Sequence, residues 1–165
     1  MSNKKVIRHQ TWVFVLKITL FLLKVSENLS GFTTVSYLQR IQNKAARIVT
    51  RTKLFDHISP VLRNLHWLPV HHRITFKQLT LAYSALHIEA SPQYLKDLLT
   101  VYQPSRTLRS SNQSQLSVPS TRTKLAESAF SVAAPKLWNS LPSNIRTAPS
   151  IESFKRLLKT YLFNQ

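Results

Sequence analysis

Cysteine is absent, glycine occurs once (Gly31), and only six residues are acidic in a chain of 165. Each shortage removes a class of chemistry. Without cysteine there is no disulfide, thiol nucleophile, zinc knuckle or iron–sulfur ligation. Average usage would supply on the order of a dozen glycines, so the glycine-rich turns of a P-loop, a dinucleotide fingerprint or a G-x-S-x-G elbow cannot be built. The acids are Glu27, Asp56, Glu89, Asp97, Glu127 and Glu152, and no two of them lie close in the chain. Two-metal phosphoryl chemistry needs carboxylates that converge on ions about 3.5 to 4 Å apart. So sparse an acid set is read more simply as helix caps and partners for surplus cations.

What is abundant is positive charge. Lys and Arg total 23 and the formal net charge is +17, a field whose natural partner is a polyanion. With 43% apolar residues, a chain of this length can bury roughly 70% of its unfolded surface. His57, His66, His71 and His72 cluster along the chain, yet no H-E-x-x-H, cysteine or adjacent acid pair completes a metal set. They are read as surface or phosphate-facing histidines. No cofactor is expected.

Residues 1–34 differ from the rest. Lys4, Lys5 and Arg8 precede an apolar run from Trp12 to Leu23 that Lys17 interrupts. The run is shorter than the about 18 to 20 residues that span a bilayer, and no small-residue cleavage site follows it. The preferred reading is a segment that docks on the body, and nucleus or cytoplasm is favoured over secretion. The alternative is a membrane-associated peptide through residues 12–23.

From Val35 the pattern turns helical. Leu38, Ile41, Ala45 and Ile48 recur at helical spacing and are expected to be the buried stripe. Arg40, Lys44, Arg47 and Arg51 follow the same spacing on a neighbouring face, a row of about 16 Å. No acid occurs between Glu27 and Asp56, whereas an ordinary solvated face mixes both signs. The row is therefore a candidate phosphate-binding face.

Asp56 is read as the N-cap of a short helix to Leu65, with Pro60 in its first turn. A long helix is expected from Val70 to Ala90, with Ile74, Leu81, Ala85 and Ile88 inward, beside Phe76, Leu79, Ala82, Tyr83 and Leu86. Arg73, Lys77, Thr80, Ser84 and His87 form its narrow polar stripe, the pattern of a central bundle helix. Ser91-Pro92 reads as a cap and first residue of a helix to Leu99. Residues 100–123 are rich in Ser and Thr, with Arg106, Arg109 and Arg122 the charges among them. Within this link, Thr107-Leu108-Arg109 and Leu116-Ser117-Val118 are a candidate β-hairpin near 106–119. Helices are expected over 124–130 and 133–141, with Trp138 as core anchor. A last helix capped by Ser150 buries Ile151, Phe154, Leu158 and Tyr161 and shows Lys155, Arg156 and Lys159 outward.

The segments expected are thus 1–34, a helical bundle over 35–99, a link over 100–123 and a helical extension over 124–165. The fold class is mainly α. No period of 20 to 50 residues repeats, which excludes a solenoid.

Read as text, Leu38 to Phe163 resembles the C-terminal end of the reverse-transcriptase polyprotein of non-LTR (LINE-type, jockey-like) retrotransposons. The segments that carry the resemblance are LQRIQNKAARIVT (38–50), FDHISPVLRNLHWLPVHHRITFK (55–77), SPQYLKDLL (91–99), SRTLRSS (105–111), AFSVAAPKLWNSLPSNIR (129–146) and SFKRLLKTYLF (153–163). They occur in the family's order, and the chained HWLPVxxRI and AAPxLWNxLP blocks have no common generic source. The resemblance implies thumb-like helices downstream of the polymerase palm, followed by a C-terminal extension. The Asp-Asp motif of the palm is missing, as are the fingers and an endonuclease domain, so the resemblance carries over no catalytic residue and implies a non-enzymatic chain.

Two stretches depart from the family. Residues 1–34 do not look like palm sequence, which suggests a fortuitous start, an element boundary or a new exon. His87-Ile88-Glu89-Ala90 replaces a glycine-containing link, and the loss of that glycine is expected to extend the long helix toward Ser91.

The function expected is that of a non-catalytic fragment of a retrotransposon-encoded RNA-directed DNA polymerase. It would bind RNA or DNA through phosphate contacts by Arg40, Lys44, Arg47, Arg51, Arg73, Arg106, Arg109, Lys155, Arg156 and Lys159. An intact element's reverse transcriptase is a further candidate partner. The competing reading is an element relic with no biochemical role.

Overall fold

The computed structural model describes residues 31–103 and 114–165. Among them the chain is mainly helical, with helices α1 (Gly31–Thr50), α2 (Ile58–Asn64), α3 (Val70–His87), α4 (Gln93–Asp97), α5 (Lys124–Glu127), α6 (Phe130–Ser140), α7 (Ser143–Arg146) and α8 (Ile151–Phe163). The apolar run 12–23 and the expected strand 107–109 lie outside the described residues. Leu116, on the other expected strand, forms an isolated antiparallel bridge with Val101. Among the described residues packing forms two units, one up to Val70 and one from His71 onward. Helix α3 thereby groups with the C-terminal helices rather than closing a bundle over 35–99.

In the first unit α1 packs against α2, and the buried residues include Gln42, Ala46, Leu62 and Leu68. Burial on α1 follows Gln42 and Ala46 rather than the expected Leu38–Ile48 stripe, and Ile48 is 77% exposed. The physical reason is polar. Gln42 donates through Nε2 to the Leu68 carbonyl at 2.8 Å, and Gln39 Oε1 accepts the Val70 N–H at 2.8 Å. A buried amide that satisfies a backbone group is tolerated where an unpaired one is not, so two glutamines bind the 68–70 stretch onto α1. The N-cap of α2 is His57, not Asp56. Asp56 accepts instead from the Lys53 N–H at 3.2 Å.

The second unit is built around aromatic rings. Trp138 and Phe154 are fully buried, Tyr83 nearly so, and the Tyr83–Phe154 and Trp138–Phe154 centroids lie 4.4 and 5.8 Å apart. These are separations at which offset ring pairs attract. Tyr83 donates its hydroxyl to the Ala148 carbonyl at 2.8 Å, and Trp138 donates Nε1–H to the Ser114 carbonyl at 2.9 Å. Asn139 holds the bridge strand from both sides: Oδ1 accepts the Leu116 N–H and Nδ2 donates to the Leu116 carbonyl, each at 2.8 Å.

On α3 the buried residues are Leu79, Ala82, Tyr83 and Ala85, whereas Ile74 of the expected stripe is 46% exposed. Only the C-terminal half of α3 is central. The helix ends at His87 and does not extend to Ala90, and Ser91, expected to cap α4, donates its hydroxyl to the Ser84 carbonyl at 2.7 Å. The N-cap of α4 is Pro92. Helix α6 starts at Phe130, earlier than expected, and carries the buried Pro135 in its interior. A proline usually marks a first turn, which is why the sequence places that start too late. The expected helix 124–130 is cut at Glu127, where α5 ends, and Ser150 caps α8 by accepting the Ser153 N–H at 3.2 Å. On α8 the fully buried positions are Phe154, Leu158 and Leu162, with Ile151 and Tyr161 at their margins.

Candidate nucleic-acid interface

On α1 of the first unit, Arg40 and Lys44 stand exposed one helical turn apart. Arg47, the third member of the row, is occupied otherwise. Its Nη1 donates to the Lys53 carbonyl and its Nη2 to the Asp56 carbonyl, the latter at 2.8 Å. It staples the connection between α1 and α2, so its role is structural. A sequence pattern counts charges and cannot see which carbonyls a loop brings to them.

Arg51 is the first residue beyond α1, with φ 54°. The Thr52 N–H returns to the Arg47 carbonyl at 3.1 Å, the bond that closes a helix whose next residue is left-handed. Glycine is the usual occupant, because a Cβ in that region costs about 1 to 2 kcal/mol. An exposed arginine kept at such a position contributes charge at a cost in stability. Arg51→Gly is therefore expected to stabilise the chain by about 0.5 to 1 kcal/mol in thermal or denaturant unfolding, while weakening polyanion binding.

In the second unit the fold brings together two cations that the sequence keeps far apart. Arg73 of α3 and Lys159 of α8 are both half-buried. Burial lowers the pKa of each, and the Arg73 charge lowers that of Lys159 further. Like charges that have lost part of their hydration repel one another in the folded chain. A phosphate between or beside them would relieve both costs. Lys77 lies one turn beyond Arg73 and Arg156 nearly one turn before Lys159, both exposed. Lys155, expected as a phosphate ligand, pairs with Glu152 at 3.3 Å and is partly neutralised. Lys136 is likewise paired with Glu127 at 3.6 Å. Arg106 and Arg109 lie outside the described residues.

Among the histidines, His71 and His72 lie with ring centroids 3.9 Å apart, and burial together with the neighbouring His71 lowers the pKa of His72. Among the described residues no three His, Asp or Glu side chains converge to hold a metal ion. No helix of the described residues is long and apolar enough to cross a membrane.

Two cationic patches result, Arg40, Lys44 and Arg51 on the first unit and Arg73, Arg156 and Lys159 on the second. Compared with protein-family models, curated proteins and solved structures, the chain matches none.

Proposed function

We propose that this chain binds RNA or DNA through phosphate contacts, as a non-catalytic fragment of a retrotransposon-encoded RNA-directed DNA polymerase. The observation that carries the binding reading is the placing of half-buried Arg73 and Lys159 on two helices that pack through the Tyr83–Phe154 stack, near enough for the Arg73 charge to act on Lys159. The net charge of +17 and the exposed Arg40 and Lys44 support it. The polymerase origin rests on the textual resemblance of residues 38–163, and the mainly helical architecture accords with a thumb and extension. An intact element's reverse transcriptase is the proposed protein partner.

The test is electrophoretic mobility with a labelled RNA–DNA hybrid over a salt series. Each phosphate contact on duplex contributes about −0.9 to the log–log slope. One patch of three cations predicts a slope of about −2.7, and both patches together about −5.4. Folded protein that binds with a flat salt response, or does not bind, excludes the reading.

A further inference from the structure

Phe55 is 95% exposed and its neighbour Leu54 75% exposed. They occupy the tip of a turn in which the Asp56 N–H returns to the Lys53 carbonyl at 3.3 Å. Tips of this kind ordinarily carry Gly, Pro, Asn, Asp or Ser, and a fully exposed phenyl ring contributes no burial to folding. The turn is nevertheless firmly held. Arg47 reaches the Lys53 and Asp56 carbonyls on either side of the tip, and the Asp56 carboxylate holds the Lys53 N–H at 3.2 Å. The acid nearest the tip is thus turned onto the turn's own backbone. Arg51 and Lys53, both exposed, precede Phe55 by four and two residues, and the exposed Arg40 and Lys44 stand earlier on α1.

Building on the nucleic-acid reading, we propose that Phe55 is a stacking platform for an unpaired base of single-stranded RNA or DNA, whose phosphates run along Arg51, Lys44 and Arg40. One planar ring held beside a cationic track is the combination that single-strand binding uses, because every base offers a π-face while its backbone needs neutralising. The linear track favours a strand over a lipid surface. A bilayer would engage cations spread around the tip, whereas Lys44 and Arg40 lie about 9 and 15 Å back along α1 from its C-terminal end.

The experiment compares the full-length wild type with Phe55→Ala and Phe55→Trp, using fluorescence anisotropy on labelled oligo(dT) and on an abasic oligomer of equal length. Phe55→Ala is expected to weaken oligo(dT) binding by roughly 5- to 150-fold, the range found for one base–aromatic stack. The salt slope and the affinity for the abasic oligomer should not change, since no charge is removed, and Phe55→Trp should retain binding. Because the ring is exposed, an unchanged unfolding midpoint verifies that the variants fold. Equal loss on the abasic oligomer, or no loss on oligo(dT) with a steep salt slope intact, overturns the stacking role while leaving nucleic-acid binding in place. Loss of binding to phosphatidylserine vesicles with oligo(dT) binding unchanged also overturns it and makes a lipid surface the occupant. A wild type that binds neither oligomer fails at the earlier reading.

Discussion

Trp138→Ala is expected to destabilise the second unit by about 3 to 5 kcal/mol, the usual cost of truncating a buried large aromatic. Against a total stability of about 5 to 15 kcal/mol, that is enough to leave a marginal unit largely unfolded. The size follows from what the indole holds. It is fully buried, it lies 5.8 Å from the Phe154 ring and 6.5 Å from Tyr83, and its N–H anchors the Ser114 carbonyl. Trp138→Phe keeps a ring in the cluster and loses that hydrogen bond, so it should cost much less than the alanine variant; the bond alone is worth about 1 kcal/mol. Denaturant midpoints at constant m-value measure both. A loss below about 1 kcal/mol for the alanine variant would show that the ring cluster is not what organises this unit.

Trp138 was legible because a tryptophan inside a helical apolar pattern carries more apolar surface than a helix can leave in water without loss. The long α3, the cap at Ser150 and the stripe centred on Phe154 and Leu158 were legible on similarly local grounds: periodicity and capping chemistry settle them. What local pattern could not supply is the partner across the chain. Gln42 reads as polar and outward until the Leu68 carbonyl is placed over it. Asn139 reads as a surface residue of a helix end until Leu116 arrives from 23 positions away. The same limit governs the site. Arg73 and Lys159 each stand out on their own helix faces, but their proximity is a property of how α3 and α8 pack. Arg47 has the right spacing for the cationic row, and only the loop that follows shows that its donors are spent. Phe55 gave no signal, since an isolated phenylalanine between two helices usually reads as core.

The Arg73→Gln/Lys159→Gln double variant should separate a functional role for that pair from a structural one, because the two roles predict opposite signs. If the pair served the fold, removing it would destabilise the chain. Two half-buried cations of like sign do the reverse, so the double variant is expected to be at least as stable as the wild type. The wild type carries a further signature. Its folded Lys159 gives up a proton more readily than the unfolded chain does, with an ordinary lysine pKa of about 10.4. The unfolded state then binds more protons in the alkaline window below that value. Wild-type stability should therefore rise with pH there, and the double variant should lack that rise. Binding is expected to move the other way. Loss of two phosphate contacts makes the salt slope shallower by about 1.8 and weakens the hybrid complex roughly 30-fold near 0.15 M salt, if each contact acts through counterion release. Weaker binding from a protein no less stable is the outcome a phosphate site requires, since natural sequences keep destabilising charge where function uses it. Unchanged binding and slope would remove Arg73 and Lys159 from the interface and leave Arg40, Lys44 and Arg51 to carry it.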